Sequence, residues 1–277
     1  MLTIKKAAEL TGVAEHTLRA WERRYGLLEP ARTASGYRVY DDLALARISA
    51  MHDLVEAGWP PRRAAAEVLR QPEPELGADP YAALIDAAAR LDAPAVAHEV
   101  DKRFSNGRFE RTVDHWLMPA LQRLGTAWAD GTVSVAGEHL VSNVVMRRLS
   151  AAYEAALNGQ SGPPVLIGAP PGVDHQLGLM AFAVTARRAG LPTIYLGAQV
   201  PLEAWRDAAV KAAPRAAVTA VPRHRDVAKA GQVAALLHEE FSVPVLVGGR
   251  YQDAVGHPGQ RLGHDISAAA ATLADGS

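Results

Sequence analysis

The stretch PVLIGAPPGVDHQLGLMA (164–181) decides the architecture of the C-terminal half. An apolar run, PVLIGA (164–169), enters a proline- and glycine-rich loop and then a helical pattern beginning near Gln176. Runs of the same kind recur as PTIYLG (192–197), AAVTAV (216–221) and VPVLVGG (243–249), with helical stretches between them. Residues that are apolar in succession, rather than alternately, suit strands buried on both faces of a parallel sheet. Strand–helix alternation with right-handed crossovers then predicts a doubly wound α/β domain over 163–277. Ligands of such sheets lie beyond the carboxyl ends of the strands, which directs attention to APPGVDHQLGLMA (169–181). There His175 stands just before the helix, and Gly172 and Gly178 permit close backbone approach. A neutral imidazole so placed can ligate a metal or simply hydrogen-bond at the helix N-terminus. Position alone leaves both open.

Working outward, residues 80–158 carry alanine and leucine at helical spacing, as in Leu84, Ala87, Ala88 and Leu91 and again in Leu121, Leu124 and Trp128. Breaks near Asp92–Pro94, Ser105–Gly107 and Asp130–Gly131 divide the segment into four helices, a bundle with short loops. QPEPELGADP (71–80) and NGQSGPP (158–164) are read as linkers, because closely spaced prolines cannot continue a helix. The N-terminal segment, 1–70, opens with a helix capped by Thr3, a turn at Gly12 and a second helix over Glu15–Tyr25, the pattern of a helix-turn-helix. ARTASGYRVYDD (31–42) then reads as a small hairpin wing. In the major groove the second helix would bring His16, Thr17, Arg19 and Arg23 to base edges or phosphates. Arg32, Tyr37 and Arg38 on the wing would meet phosphate or sugar. Within residues 1–40, Lys5, Lys6, Arg19, Arg23, Arg24, Arg32 and Arg38 outnumber Glu9, Glu15, Glu22 and Glu29.

That local excess is hidden in a neutral total: 29 Lys and Arg against 30 Asp and Glu. Bulk charge therefore excludes a polycationic nucleic-acid binder. With 49% apolar and 21% charged residues, the chain of 277 residues is expected to fold as two or three globular units. No cysteine is present, which excludes disulfides, thiolate zinc sites and cysteine nucleophiles. Ser-His-Asp and phosphate-loop templates find no match. MLTIKKAAEL lacks the apolar core of a signal peptide and no later run approaches a membrane span, so a cytoplasmic protein without membrane association is expected.

LTIKKAAELTGVAEHTLRAWERRYGLLEPARTASGYRVYDD (2–42) resembles the winged helix-turn-helix of MerR-family transcription regulators over nearly its whole length. Strand, PPG, histidine, then LG opening a helix resembles the flavodoxin-like cobalamin-binding fold, with His175 and Gly178 on its His and Gly positions. LGTAWADGTVSVAGEH (124–139) resembles the tryptophan…Glu-His signature of the four-helix cap in cobalamin-dependent photoreceptor regulators of the CarH/LitR type. The three resemblances occur in that family's order. They imply a transcription regulator, not an enzyme, that binds operator DNA as a cobalamin- or light-dependent homo-oligomer, dimer or tetramer. They imply cobalamin, in the adenosyl form, covered by Trp128 with Val135, Glu138 and His139 around it and ligated at cobalt by His175. Gly172, Val173 and Asp174 would line the loop, and Thr219 with Gly248 and Gly249 would flank the nucleotide tail.

Three departures qualify the resemblance. Proline-broken 71–80 replaces the long coiled coil through which familiar MerR proteins dimerise, so the later segments have to supply dimerisation. Val173 occupies the position of the acidic residue that orients the histidine, with Asp174 one residue late. Ala129 occupies the position of the histidine that caps cobalt after photolysis. From the last departure three readings follow: sensing without that trap, another histidine such as His115 in its place, or a second chromophore, a bilin such as biliverdin, as in photocobilins. Other function classes are a corrinoid carrier for methyl transfer and a MerR-type sensor of another small molecule.

Overall fold

The computed structural model describes residues 2–28, 31–32, 38–56, 58–70, 79–105, 107–156 and 161–275. Of the expected linkers at 71–80 and 158–164, residues 71–78 and 158–160 lie outside them. The chain divides into two compact units, Met1–Ala82 and Ala83–Ser277.

In the first unit the Thr3 hydroxyl accepts the Lys6 N–H at 3.4 Å and opens α1 (Ile4–Thr11). Gly12, left-handed at φ 69°, ends it, a conformation that costs glycine nothing. α2 (Glu15–Tyr25) follows after Gly12, Val13 and Ala14. β1 (Ala31–Arg32) pairs antiparallel with β2 (Arg38–Val39), and Leu2 and Tyr40 exchange backbone hydrogen bonds at 2.8 Å beside them. α3 (Asp42–Glu56) and α4 (Pro61–Arg70) complete a core in which Leu18, Trp21, Leu27, Tyr40, Ile48 and Met51 are buried.

The second unit holds the helical and the α/β segments together. Its helices are α5 (Ala82–Ala89), α6 (Ala93–Ser105), α7 (Phe109–Thr112), α8 (Met118–Ala129) and α9 (Val135–Ala155). A π-helical turn, Val113–Leu117, runs α7 into α8, so the expected four-helix count stands with the third helix irregular. The sheet is β3 (Val165–Gly168), β4 (Thr193–Gly197), β5 (Ala216–Ala220), β6 (Val245–Gly248) and β7 (Gly259–Arg261), all parallel in the order β4-β3-β5-β6-β7. The strand order reverses between β3 and β5, as in flavodoxin-like sheets. α10 (Leu177–Arg188) packs against α9 and against α13 (Ile266–Asp275), and α11 (Leu202–Ala212) packs against α12 (Val227–Phe241).

Two expectations are corrected. β4 is not buried on both faces: it is the edge strand, and Ile194 is 37% exposed. β7 is a fifth strand made of Gly-Gln-Arg, whose polar residues carry no strand signal in isolation; pairing with β6 makes it one.

Side chains fasten the bundle to the sheet layer. Asp114, in the π turn, accepts from the backbone N–H groups of Ile266 at 2.9 Å and Ser267 at 3.3 Å and from the Ser267 hydroxyl, capping α13. Glu110 pairs with Arg188. Burial alone would raise the Glu110 carboxyl, but the Arg188 hydrogen bond, a local backbone hydrogen bond and neighbouring positive charge together hold it below the ordinary value. A carboxyl depressed in the folded state contributes stability above its unfolded pKa and loses it as pH falls through the folded one. Wild-type stability should therefore fall more steeply than that of Glu110→Gln between about pH 5 and pH 3, read from urea midpoints.

Candidate cofactor and nucleic-acid sites

The loops after β3 and β5 approach each other at His175 and Arg223, and Glu138 in the first turn of α9 acts electrostatically on that histidine. After β3, Val173 N–H bonds Pro170 C=O at 3.1 Å, and Gln199 N–H from the loop after β4 bonds Val173 C=O at 3.0 Å, which pins the loop. Val173 is buried, and its side chain packs inward. Asp174 is engaged by the Gln199 amide, not by the imidazole of its neighbour. His175 is exposed at the crest of the loop, with its Nε2 3.4 Å from an Arg223 guanidinium nitrogen. Partial enclosure, and then the positive charge of Arg223, hold the imidazole below the ordinary histidine pKa. Negative charge on Asp226, Glu138 and Asp174 opposes the shift without reversing it. The ring is therefore neutral at pH 7, the form that can ligate a metal.

Glu138 acts on His175 from α9. The Ser134 hydroxyl caps that helix by accepting the Gly137 N–H at 3.2 Å. Glu138 is held by His139 Nδ1 at 2.8 Å and by the Ser142 hydroxyl at 2.6 Å. Just before this turn Trp128 lies in the last turn of α8, 48% exposed, and Val135 begins α9, 55% exposed. Two exposed apolar side chains close in sequence to the Glu138–His139 pair are what an apolar ligand would cover. Gly178 abuts the bundle: a Cβ there would lie 3.5 Å from Met118 Cε at the start of α8. His115, in the π turn, stands 13 residues before Trp128 on one nearly continuous helix, about 20 Å along the axis, which separates it from Ala129, whose missing histidine it was to replace.

Beneath the loops, Thr219 is wholly buried and its hydroxyl has no hydrogen-bond partner among the described residues. A Cβ on Gly249, whose φ is 96°, would lie 2.8 Å from Val221 O, and one on Gly248 would lie 3.2 Å from Leu262 Cδ2. On the other side of the loop, Gly172 at φ 67° has the Lys229 amine beside it, and Lys229 also pairs with buried Asp226 at 3.7 Å. Arg223, Gln199 and Met118 were not anticipated. The first lies in PRHRD (222–226) after β5, a loop that the strand-order reversal marks and its charge pattern alone does not.

In the first unit, Leu18 and Trp21 turn α2 into the core, and His16, Arg19 and Arg23 stand exposed on the helix, with Thr17 partly covered. Arg19 pairs with Glu15 at 3.3 Å. Arg38 donates from Nε to Glu22 at 2.9 Å, which ties the wing to α2. Tyr37 lies outside the described residues, as does the side chain of Arg32.

Residues 2–71 match the MerR HTH family regulatory protein model, and residues 81–153 match the B12 binding domain model. The chain is 34% identical over 215 residues to the HTH-type transcriptional repressor CarH of Myxococcus xanthus, covering 72% of each chain. It is 30% identical over 259 residues to the repressor CarA of the same organism, covering 90% of this chain and 86% of CarA. The chain belongs to the CarH/CarA family of MerR-type transcription regulators. A solved structure, the monomethylamine corrinoid protein of Methanosarcina barkeri, superposes with a TM-score of 0.54 at 12% identity over 70% of this chain and 96% of its own, a likeness of fold. The match spans 72% of CarH and 86% of CarA, and the chain carries helix-turn-helix, helical bundle and sheet in one polypeptide.

Proposed function

We propose that this protein is a cobalamin-responsive, DNA-binding transcription regulator whose corrinoid sits between the bundle and the carboxyl edge of the sheet. What supports the reading is that Glu138, in the first turn of α9 close in sequence to exposed Trp128 and Val135, acts on His175 in the loop after β3, while the Thr219 hydroxyl on β5 is buried without a partner among the described residues. These residues fit a corrinoid. Among the described residues no group of three His, Asp or Glu gathers to hold a metal, so a cobalt at His175 would have to arrive already held by its own macrocycle. Cobalamin supplies a cobalt centre whose carbon bond is light-sensitive in the adenosyl form. His175 would hold the lower face, and Trp128, Val135, Glu138 and His139 would cover the upper one. Gly172, Val173, Asp174 and Gly178 would shape the loop around it, and Thr219 with Gly248 and Gly249 would flank the nucleotide tail.

Asp114, Glu110 and the α9–α10 packing make bundle and sheet respond as one body to what lies between them. A change there would reset which surfaces associate, and association of small DNA modules raises operator affinity by effective concentration. Ala129 has a methyl side chain that could not ligate a metal, which favours either sensing without a second protein ligand or a bilin, biliverdin for instance, as second chromophore. No helix among the described residues is long and apolar enough to cross a membrane, and operator DNA places the work in the cytoplasm.

The test is reconstitution in the dark with adenosylcobalamin, with and without biliverdin, followed by light scattering and DNA-binding assays before and after illumination. A changed mass and DNA affinity are expected. Identical values with and without cobalamin would overturn the reading. On the DNA side, Arg23→Ala should weaken binding uniformly across sequences and reduce the salt slope by about 1, the signature of a phosphate contact.

A further inference from the structure

The histidine offered to cobalt is already spoken for. Arg223, exposed on the loop after β5, places a guanidinium nitrogen 3.4 Å from His175 Nε2. A guanidinium only donates, so Nε2 must accept with its lone pair, and the ring proton is confined to Nδ1. Among the described residues no carboxylate hydrogen-bonds the ring: Asp174 is taken by Gln199, Glu138 by His139 and Ser142, and Asp226 pairs with Lys229. A hydrogen-bonded carboxylate at Nδ1 would raise the basicity of a ligating imidazole. Here a cation faces the ligating nitrogen instead.

We infer that Arg223 is a positioning residue that competes with the metal for the Nε2 lone pair of His175, so that this histidine is a conditional ligand, engaged only when the guanidinium swings aside. The inference rests on the corrinoid reading above. It makes the lower ligand a two-position switch within that site: guanidinium on imidazole, or imidazole on metal. Because both partners compete for one lone pair, the arginine lowers the occupancy of the ligated state without touching the corrinoid. It also pre-sets the tautomer that ligation through Nε2 requires.

The experiment uses full-length protein labelled with 15N, loaded with cob(II)alamin, as wild type and as Arg223→Met, which keeps the stem and removes the donors. Electron paramagnetic resonance separates a 15N doublet from the protein imidazole from a 14N triplet from the cofactor's own base. The ratio of imidazole-ligated to unligated cobalt should rise about three- to tenfold in Arg223→Met. In protein without corrinoid, carbethoxylation of His175 by diethyl pyrocarbonate, located by peptide mass, should be several-fold faster in the variant. An unchanged or lowered ratio, or an unchanged modification rate, overturns the competition. Wild type that takes up no corrinoid overturns the functional reading instead, and the inference with it.

Discussion

Gly137→Ala is expected to cost the second unit about 2–3 kcal/mol and to disturb its ligand site at the same time. A Cβ at this position would lie 2.5 Å from Ala88 O and 2.8 Å from Val133 Cγ1. The first is backbone of α5, itself engaged by the Leu91 N–H at 3.2 Å, so no rotamer change relieves the clash and the helices must part. Overpacking of this kind costs about 1–3 kcal/mol, or more where backbone has to shift. Alanine's better helix propensity returns about 1 kcal/mol at most. In a unit of this size the thermal midpoint should drop by roughly 4–10 °C. The helix that moves carries Glu138 and His139 in its first turn, so corrinoid affinity should fall in the same variant. A wild-type midpoint by calorimetry would refute the close approach of α5 and α9.

The parts of the fold that sequence made legible were those whose physics is local. Thr3, Gly12 and the apolar face of α2 specify the helix-turn-helix within 25 residues, and the structure ends those helices where the cap and the glycine imply. β3, β5 and β6 are apolar in succession because helices cover both faces. β4 reads the same way, yet it lies at the edge; strand order is a long-range property that a run of apolar residues does not encode. β7 was invisible because Gly259–Arg261 acquires strand geometry only from its partner. The site divides likewise. His175, Trp128 and the Glu138–His139 pair stand in recognisable local patterns, whereas Arg223 reaches His175 across 48 residues. The same holds for Asp114, which caps a helix 152 residues away. Such pairings are decided by how layers stack, and neither partner's neighbourhood announces the other.

That stacking is held at one further place, where the second large effect is expected. Arg187, in the last turn of α10, donates from Nε to the Thr193 hydroxyl at 2.9 Å and from its two terminal nitrogens to Tyr153 C=O at 3.0 Å and Thr193 C=O at 3.4 Å. Its guanidinium lies 3.3 Å from the centroid of the Tyr153 ring. Tyr153 OH donates to Thr193 C=O at 3.2 Å and accepts from the Thr193 hydroxyl at 3.0 Å. Tyr153 and Thr193 are both buried, so one side chain joins the end of α9, the end of α10 and the start of edge strand β4. Charge-assisted hydrogen bonds contribute about 1.5–3 kcal/mol each, non-additively, and carbonyls left unpaired in a buried node add their own penalty. Arg187→Ala should therefore lower stability by about 3 kcal/mol, and Tyr153→Phe by about 1 kcal/mol, because it removes a hydroxyl and keeps the ring. Arg187→Lys should recover less than half of the loss, since an ammonium keeps the charge but cannot supply the planar fork. The double variant Arg187→Ala, Tyr153→Phe should cost less than the sum of the two, because each change already breaks the shared node. Strict additivity in urea unfolding would show that the two side chains act independently and that the bundle is held to the sheet elsewhere.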